Sequence, residues 1–153
     1  MNSSSHSHIF LSVTKAGHSA IFSTSGNQDC HVILRGGKTG TNFDAESIAA
    51  TQATLDSNDV TTGIMVDMSH ANSSKDHNKQ LTVCADLCQQ ISGGDRNITG
   101  VMIESNIEEG RQDIPENLSD LTYGQSITDA CINWSDTESA LASLAEAVAA
   151  RKG

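Results

Sequence analysis

Short apolar runs alternate with helical stripes along this chain. Residues 9–13 and 19–23 are extended runs on either side of Thr14-Lys15-Ala16-Gly17-His18, and they predict a β-hairpin. A β-rich strand follows over residues 30–34 and ends in Arg35-Gly36-Gly37-Lys38. Asp44 is a good N-cap for a helix that carries Ala45, Ile48, Ala49 and Leu55 on one face. Residues 64–66 form the next run, ending in Asp67-Met68-Ser69-His70. Asn72, Ser73 and Ser74 offer caps for a second helix with a stripe of Leu81, Cys84, Leu87, Cys88 and Ile91, stopped by Gly93-Gly94. Residues 98–103 make a third run, ending in Glu104-Ser105. After a long polar segment through Tyr123, Ser135 and Glu138 form a capping box for a last helix with Leu141, Leu144 and Val148.

The order is a hairpin and then strand–helix three times, which predicts an α/β fold with a parallel sheet. The strands read as apolar on both faces, as in a barrel or a doubly covered sheet. Each of the three ends in a residue able to do chemistry: Arg35, His70 and Glu104. Ligands bind at the carboxyl ends of parallel strands, so these side chains are expected to share one mouth.

Arginine presents a planar fork to phosphate or carboxylate, and the glycines after Arg35 let backbone N–H groups approach an oxyanion. A strand-end turn with a surface arginine accounts for the same tetrapeptide. His70, Glu104 and Asp129 form a candidate metal site, since imidazole with carboxylates suits Mn²⁺, Fe²⁺ or Zn²⁺. Taken singly, each also reads as a hydrogen-bonded or solvated residue. A shared mouth is what raises all three together. His6 and His8 read as surface residues and His31 as a satisfied core residue. No Ser–His–Asp arrangement, P-loop or GxGxxG is present.

The formal net charge of −10 argues against nucleic acid and anionic membranes as partners. Half of it falls between Glu104 and Asp120, where six acids face the single base Arg111; a solvated acidic loop is the simple reading. Cys30, Cys84, Cys88 and Cys131 lack zinc-ribbon or CxxC spacing and read as reduced thiols of a cytoplasmic protein. There is no apolar run of 18 residues. The first residues lack the regions of a signal peptide.

Five stretches, in order, resemble the class I 3-deoxy-D-arabino-heptulosonate 7-phosphate (DAHP) synthases of the enteric-bacterial and yeast type. They are Phe10-Leu11-Ser12-Val13-Thr14-Lys15, Cys30-His31-Val32-Ile33-Leu34-Arg35-Gly36-Gly37-Lys38, Asp67-Met68-Ser69-His70-Ala71-Asn72-Ser73-Ser74-Lys75, Gly100-Val101-Met102-Ile103-Glu104-Ser105 and Tyr123-Gly124-Gln125-Ser126-Ile127-Thr128-Asp129-Ala130-Cys131. The resemblance implies the C-terminal part of a (β/α)₈ TIM barrel with a β-hairpin insert, as one domain over residues 1–153. It implies condensation of phosphoenolpyruvate with erythrose 4-phosphate to DAHP and phosphate, the first step of the shikimate pathway to aromatic amino acids. It further implies a divalent metal, Mn²⁺ or Fe²⁺ first and Zn²⁺ or Co²⁺ as alternatives, held by His70, Glu104 and Asp129 with a cysteine from elsewhere. Arg35 would grip the phosphate of phosphoenolpyruvate, and Phe10 and Ser12 would face an aromatic amino acid effector. A homo-oligomer is expected when full length.

Met68 and Asn133 depart from the family pattern, which has an aromatic and a glycine there. The family's cysteine ligand and its other basic phosphoenolpyruvate residues are expected upstream, so Met1 reads as an internal methionine. The isolated chain is accordingly expected to be unstable and inactive. Two alternatives stand beside this reading: a noncatalytic fragment that regulates or binds a full-length subunit, and a related synthase using another sugar phosphate.

Overall fold

A computed structural model describes residues 1–151. The chain divides into two units, Met1–Val32 and a second beginning at Ile33.

In the first unit a single turn of helix, α1 (Asn2–Ser5), precedes strands β1 (His8–Val13) and β2 (Ser19–Thr24). The strands pair antiparallel with Phe10 opposite Phe22 and Leu11 opposite Ile21. Side chains alternate across a strand, so one face carries Ile9, Leu11, Val13 and Ile21, and the other carries Phe10, Ser12, Ala20 and Phe22. The first face is open, with Ile9, Leu11 and Ile21 exposed by 77%, 75% and 74%. On the second face the rings of Phe10 and Phe22 stack with centroids 5.9 Å apart. The hairpin expected from the sequence is therefore present, one residue longer at its outer ends. The strand expected over residues 30–34 shortens to β3 (Val32–Leu34), and His31 lies outside it and is exposed. The expectation of a core histidine at position 31 is thus corrected: it precedes the strand and is exposed.

In the second unit β4 (Ile64–Asp67) is the central strand of the order β3-β4-β5, and β5 is Ile98–Met102. β4 and β5 run parallel, with Asp67 opposite Met102. Ile64 and Val66 are fully buried on one face of β4, and on the other Asp67 is buried and Met65 partly covered. Each strand leads into a helix: α2 (Ala45–Asp56), α3 (Lys79–Ser92) and α4 (Trp134–Ala149). The three strand–helix units expected from the pattern are all formed.

The caps explain where the helices start. Asp44 accepts from the Ser47 N–H at 2.9 Å and from its hydroxyl at 2.8 Å. These bonds, the backbone one first, hold its carboxyl below the usual aspartate range. That contribution is present above the ordinary aspartate pKa and is lost as pH falls through the lowered one. α3 starts five residues later than Ser74, because Ser74 and Lys75 adopt left-handed backbone (φ 55° and 62°) that no helix admits. α4 is capped by Asn133 rather than by the Ser135 box. The Asn133 side chain accepts from the Asp136 N–H at 2.8 Å and donates to its carboxylate at 3.0 Å. Asn133 thus has a structural task of its own.

The buried faces also differ in detail. α2 buries Ile48 and Leu55, while Ala45 and Ala49 are exposed. α3 buries Gln80, Val83, Cys84, Leu87 and Ile91. α4 buries the small residues Thr137, Ala140 and Ala147, leaving Leu141 and Val148 about half exposed. Small side chains on α4 allow close approach to α3, where the Cys84 thiol meets the Ala140 carbonyl at 3.8 Å. Burial, and then the neighbouring Cys88, push the Cys84 thiol up to about 12, so it is protonated and unreactive near neutral pH. All four cysteines are free.

Candidate active site

Three strand ends meet at one mouth of the second unit. β3 hands over to Arg35 and Gly36. Gly36 has φ +70° and bonds through its N–H to the Asn42 side chain at 2.7 Å. A Cβ there would lie 2.8 Å from that of Ala71, so only glycine lets the two strand-end loops touch. Asn72, buried between them, donates to the Leu34 carbonyl at 3.1 Å and to the Asp67 carbonyl at 2.8 Å. One carboxamide thereby ties the end of β3 to the end of β4.

Past β4 the chain turns sharply, with His70 in left-handed conformation (φ 49°). Asp67 is 1% exposed. One of its oxygens accepts from the Ser69 N–H at 2.8 Å, and the other meets His70 Nδ1 at 2.6 Å. A carboxylate accepts, so Nδ1 donates in this bond and Nε2 is the ring nitrogen turned toward Glu104. Glu104 lies two residues beyond β5. Its Oε2 accepts from the Ser69 hydroxyl at 2.8 Å, and its Oε1 is 3.5 Å from His70 Nε2. Asp129 arrives on the segment before α4, which is pinned by the Cys131 N–H to the Gly110 carbonyl at 3.1 Å and by the Gly110 N–H to the Cys131 carbonyl at 2.8 Å.

Ligand atoms of His70, Glu104 and Asp129 all lie within 4.8 Å of one another. Two ligands about 2.0–2.2 Å from a common ion sit roughly 3–3.5 Å apart at tetrahedral or octahedral angles. The His70–Glu104 spacing matches that, and the carboxylate behind Nδ1 is the usual support of a metal-ligating histidine. The donor set therefore fits a divalent ion. No cysteine joins the group among the described residues.

The cavity over these atoms has a volume of about 270 Å³ and is lined by Arg35, Ser69, His70, Lys75, Glu104, Asp129 and Ala130. Among the described residues neither Arg35 nor Lys75 has a carboxylate within 4.0 Å. Two cations without an acidic partner beside a carboxylate-rich floor suit an anionic ligand bound next to a cation.

Arg35, His70, Glu104 and Asp129, each expected from the sequence, are thus brought together. Glu104 turns into the mouth, while the remaining acids of its stretch, from Glu108 to Asp120, are exposed. Phe10 and Ser12 belong to the other unit, on the face that carries Phe22. Sequence reasoning missed Asp67, Ser69, Lys75 and Gln80. Asp67, Ser69 and Lys75 stand in the stretch around His70, where strand-end position is a usable signal. Gln80 gave only the weak signal of a polar residue on an apolar helical face.

Fold and site together define an α/β protein with an anion- and metal-suited mouth at the carboxyl ends of its parallel strands. A sequence model described as the DAHP synthetase I family matches residues 1–142, and the chain belongs to that family. It is 54% identical over 153 residues to the Phe-sensitive phospho-2-dehydro-3-deoxyheptonate aldolase of Escherichia coli, covering 100% of this chain and 43% of that protein. It is 50% identical over 155 residues to the tyrosine-inhibited enzyme of that name from Schizosaccharomyces pombe, covering 99% and 42%. A solved phospho-2-dehydro-3-deoxyheptonate aldolase from Francisella tularensis superposes with a TM-score of 0.91 at 51% identity, over 99% of this chain and 43% of that one. The chain thus spans less than half the length of these relatives. Among the described residues no helix is long and apolar enough to cross a membrane.

Proposed function

We propose that this chain supplies part of the catalytic barrel of a DAHP synthase, condensing phosphoenolpyruvate with erythrose 4-phosphate at the entry to aromatic amino acid biosynthesis. The observation that carries the reading is the meeting of Arg35, His70, Glu104 and Asp129 in one cavity of a chain from this family. Three strand–helix units after a hairpin are compatible with a (β/α)₈ barrel of roughly 250 residues, the other units coming from further polypeptide. On this reading residues 1–153 form one domain with its hairpin insert.

His70, Glu104 and Asp129 would hold Mn²⁺ or Fe²⁺, with Zn²⁺ or Co²⁺ as alternatives. When bound, the ion would supply Lewis acidity toward the aldehyde oxygen of erythrose 4-phosphate. Arg35 would hold the phosphate of phosphoenolpyruvate, and Lys75 adds positive charge at the same wall. Asp67 keeps the His70 ring oriented, and Ser69 does the same for the Glu104 carboxylate. Carbon 3 of phosphoenolpyruvate bonds to the aldehyde carbon, water adds at carbon 2, and phosphate leaves.

One relative is named as Phe-sensitive and another as tyrosine-inhibited. The stacked face of the hairpin, with Phe10 and Ser12, is our candidate for an aromatic amino acid effector. A cytoplasmic homo-oligomer is the expected setting.

The test uses the longest native polypeptide that carries this chain, supplied with Mn²⁺ and phosphoenolpyruvate. Phosphate release that depends on erythrose 4-phosphate is the expected result. Preference for another sugar phosphate would overturn the substrate assignment. No turnover alone, with co-purification of a complete synthase, would favour a noncatalytic, subunit-binding fragment.

A further inference from the structure

We infer that Gln80 is a positioning residue for the two carboxylates of this centre, acting on Glu104 directly and on Asp129 through a shared carbonyl. The inference rests on the reading of His70, Glu104 and Asp129 as a metal site.

The β4–β5 ladder runs out at the mouth. Its last pair is Asp67 with Met102, and the Met68 N–H bonds the Met102 carbonyl at 2.9 Å. Glu104 lies beyond that point, where β4 no longer offers a partner. Backbone N–H and C=O groups removed from water need partners. The Gln80 carboxamide supplies both. Its Oε1 accepts from the Glu104 N–H at 2.9 Å, and its Nε2 donates to the Glu104 carbonyl at 3.0 Å. A carboxamide carries the same donor and acceptor as a peptide group, so this side chain replaces the missing strand.

The same Glu104 carbonyl also accepts from the Ile132 N–H at 3.0 Å, and the Ile132 carbonyl accepts from the Asn106 N–H at 3.0 Å. Ile132 is fully buried and follows Asp129 by three residues. The segments bearing the two carboxylates are therefore joined at a carbonyl that Gln80 holds from the other side.

Gln80 is 0% exposed and shares its helical face with Val83, Cys84, Leu87 and Ile91. An apolar residue would fill such a position without burying polar atoms. A glutamine there is explained by its two bonds to Glu104. Ser69 fixes the carboxylate end of Glu104 and Gln80 the backbone end.

Gln80→Met keeps length and burial but neither donates nor accepts. Gln80→Glu keeps the acceptor for the Glu104 N–H and loses the donor. Both are compared with the unmodified protein, in the longest native polypeptide carrying this chain, by Mn²⁺ titration followed by electron paramagnetic resonance, with thermal melts alongside. The expected result is folded Gln80→Met that binds Mn²⁺ about 10–100-fold more weakly, the usual cost of losing an outer partner of a metal ligand, with Gln80→Glu between the two. Unchanged Mn²⁺ affinity with only a lowered melting temperature would make Gln80 a packing residue and overturn the inference. If Gln80→Met does not fold, Gln80→Glu decides: affinity equal to the unmodified protein overturns it. Absence of Mn²⁺ binding by the unmodified protein would sink the metal reading and this inference together. Binding that neither variant weakens would sink this inference alone.

Discussion

Replacing His70 with asparagine is expected to abolish metal-dependent turnover and to weaken Mn²⁺ binding by more than the roughly 10–100-fold that loss of an outer partner costs. Asparagine is chosen because the backbone at position 70 is left-handed (φ 49°), a conformation that asparagine tolerates. The fold is therefore retained while the Nε2 donor is removed. His70 supplies the only nitrogen of the His70–Glu104–Asp129 group, and buried Asp67 holds the Nδ1 side of its ring, which leaves Nε2 toward Glu104. Isothermal titration with Mn²⁺ measures the loss directly. Affinity within a few-fold of the unmodified protein would mean that His70 is not a ligand.

Leu87→Ala is expected to cost about 2–5 kcal/mol of stability, the range for truncating a large side chain in a packed core. Leu87 is 0% exposed, on the α3 face that also buries Val83, Cys84 and Ile91. The helix cannot slide to refill that space, because Gln80 is tied to Glu104 at its first turn and Gly93 caps it at the other end. Urea denaturation reads the change. A loss below about 1 kcal/mol would show that the site collapses or is loosely packed.

Much of the site was legible because strand ends are legible. A short apolar run followed by a turn marks where a parallel strand stops, and Arg35, His70 and Glu104 stand at or just past those stops. Asp44 was legible as a cap because its side chain acts locally. The start of α3 was not, because Asn72 spends its carboxamide on the ends of β3 and β4 rather than on a helix N-terminus. The cap of α4 moved from Ser135 to Asn133, since both are good caps and local propensity does not choose between neighbours. Gln80 was invisible because its partner is the backbone of a residue 24 positions away. The stripe Leu141, Leu144 and Val148 promised the buried face of α4, yet the helix lies close to α3 through Ala140. Periodicity finds an apolar face but not the closeness of approach that small side chains allow.

The central claim is that the ends of β4 and β5 and the segment before α4 build one divalent-metal site. The most direct measurement is an anomalous-scattering map from crystals of the longest native polypeptide carrying this chain, soaked in Mn²⁺. The account expects one strong peak about 2.0–2.3 Å from His70 Nε2 and within bonding reach of Glu104 and Asp129. A fully soaked crystal with no peak there, or with its peak on other residues, would contradict it.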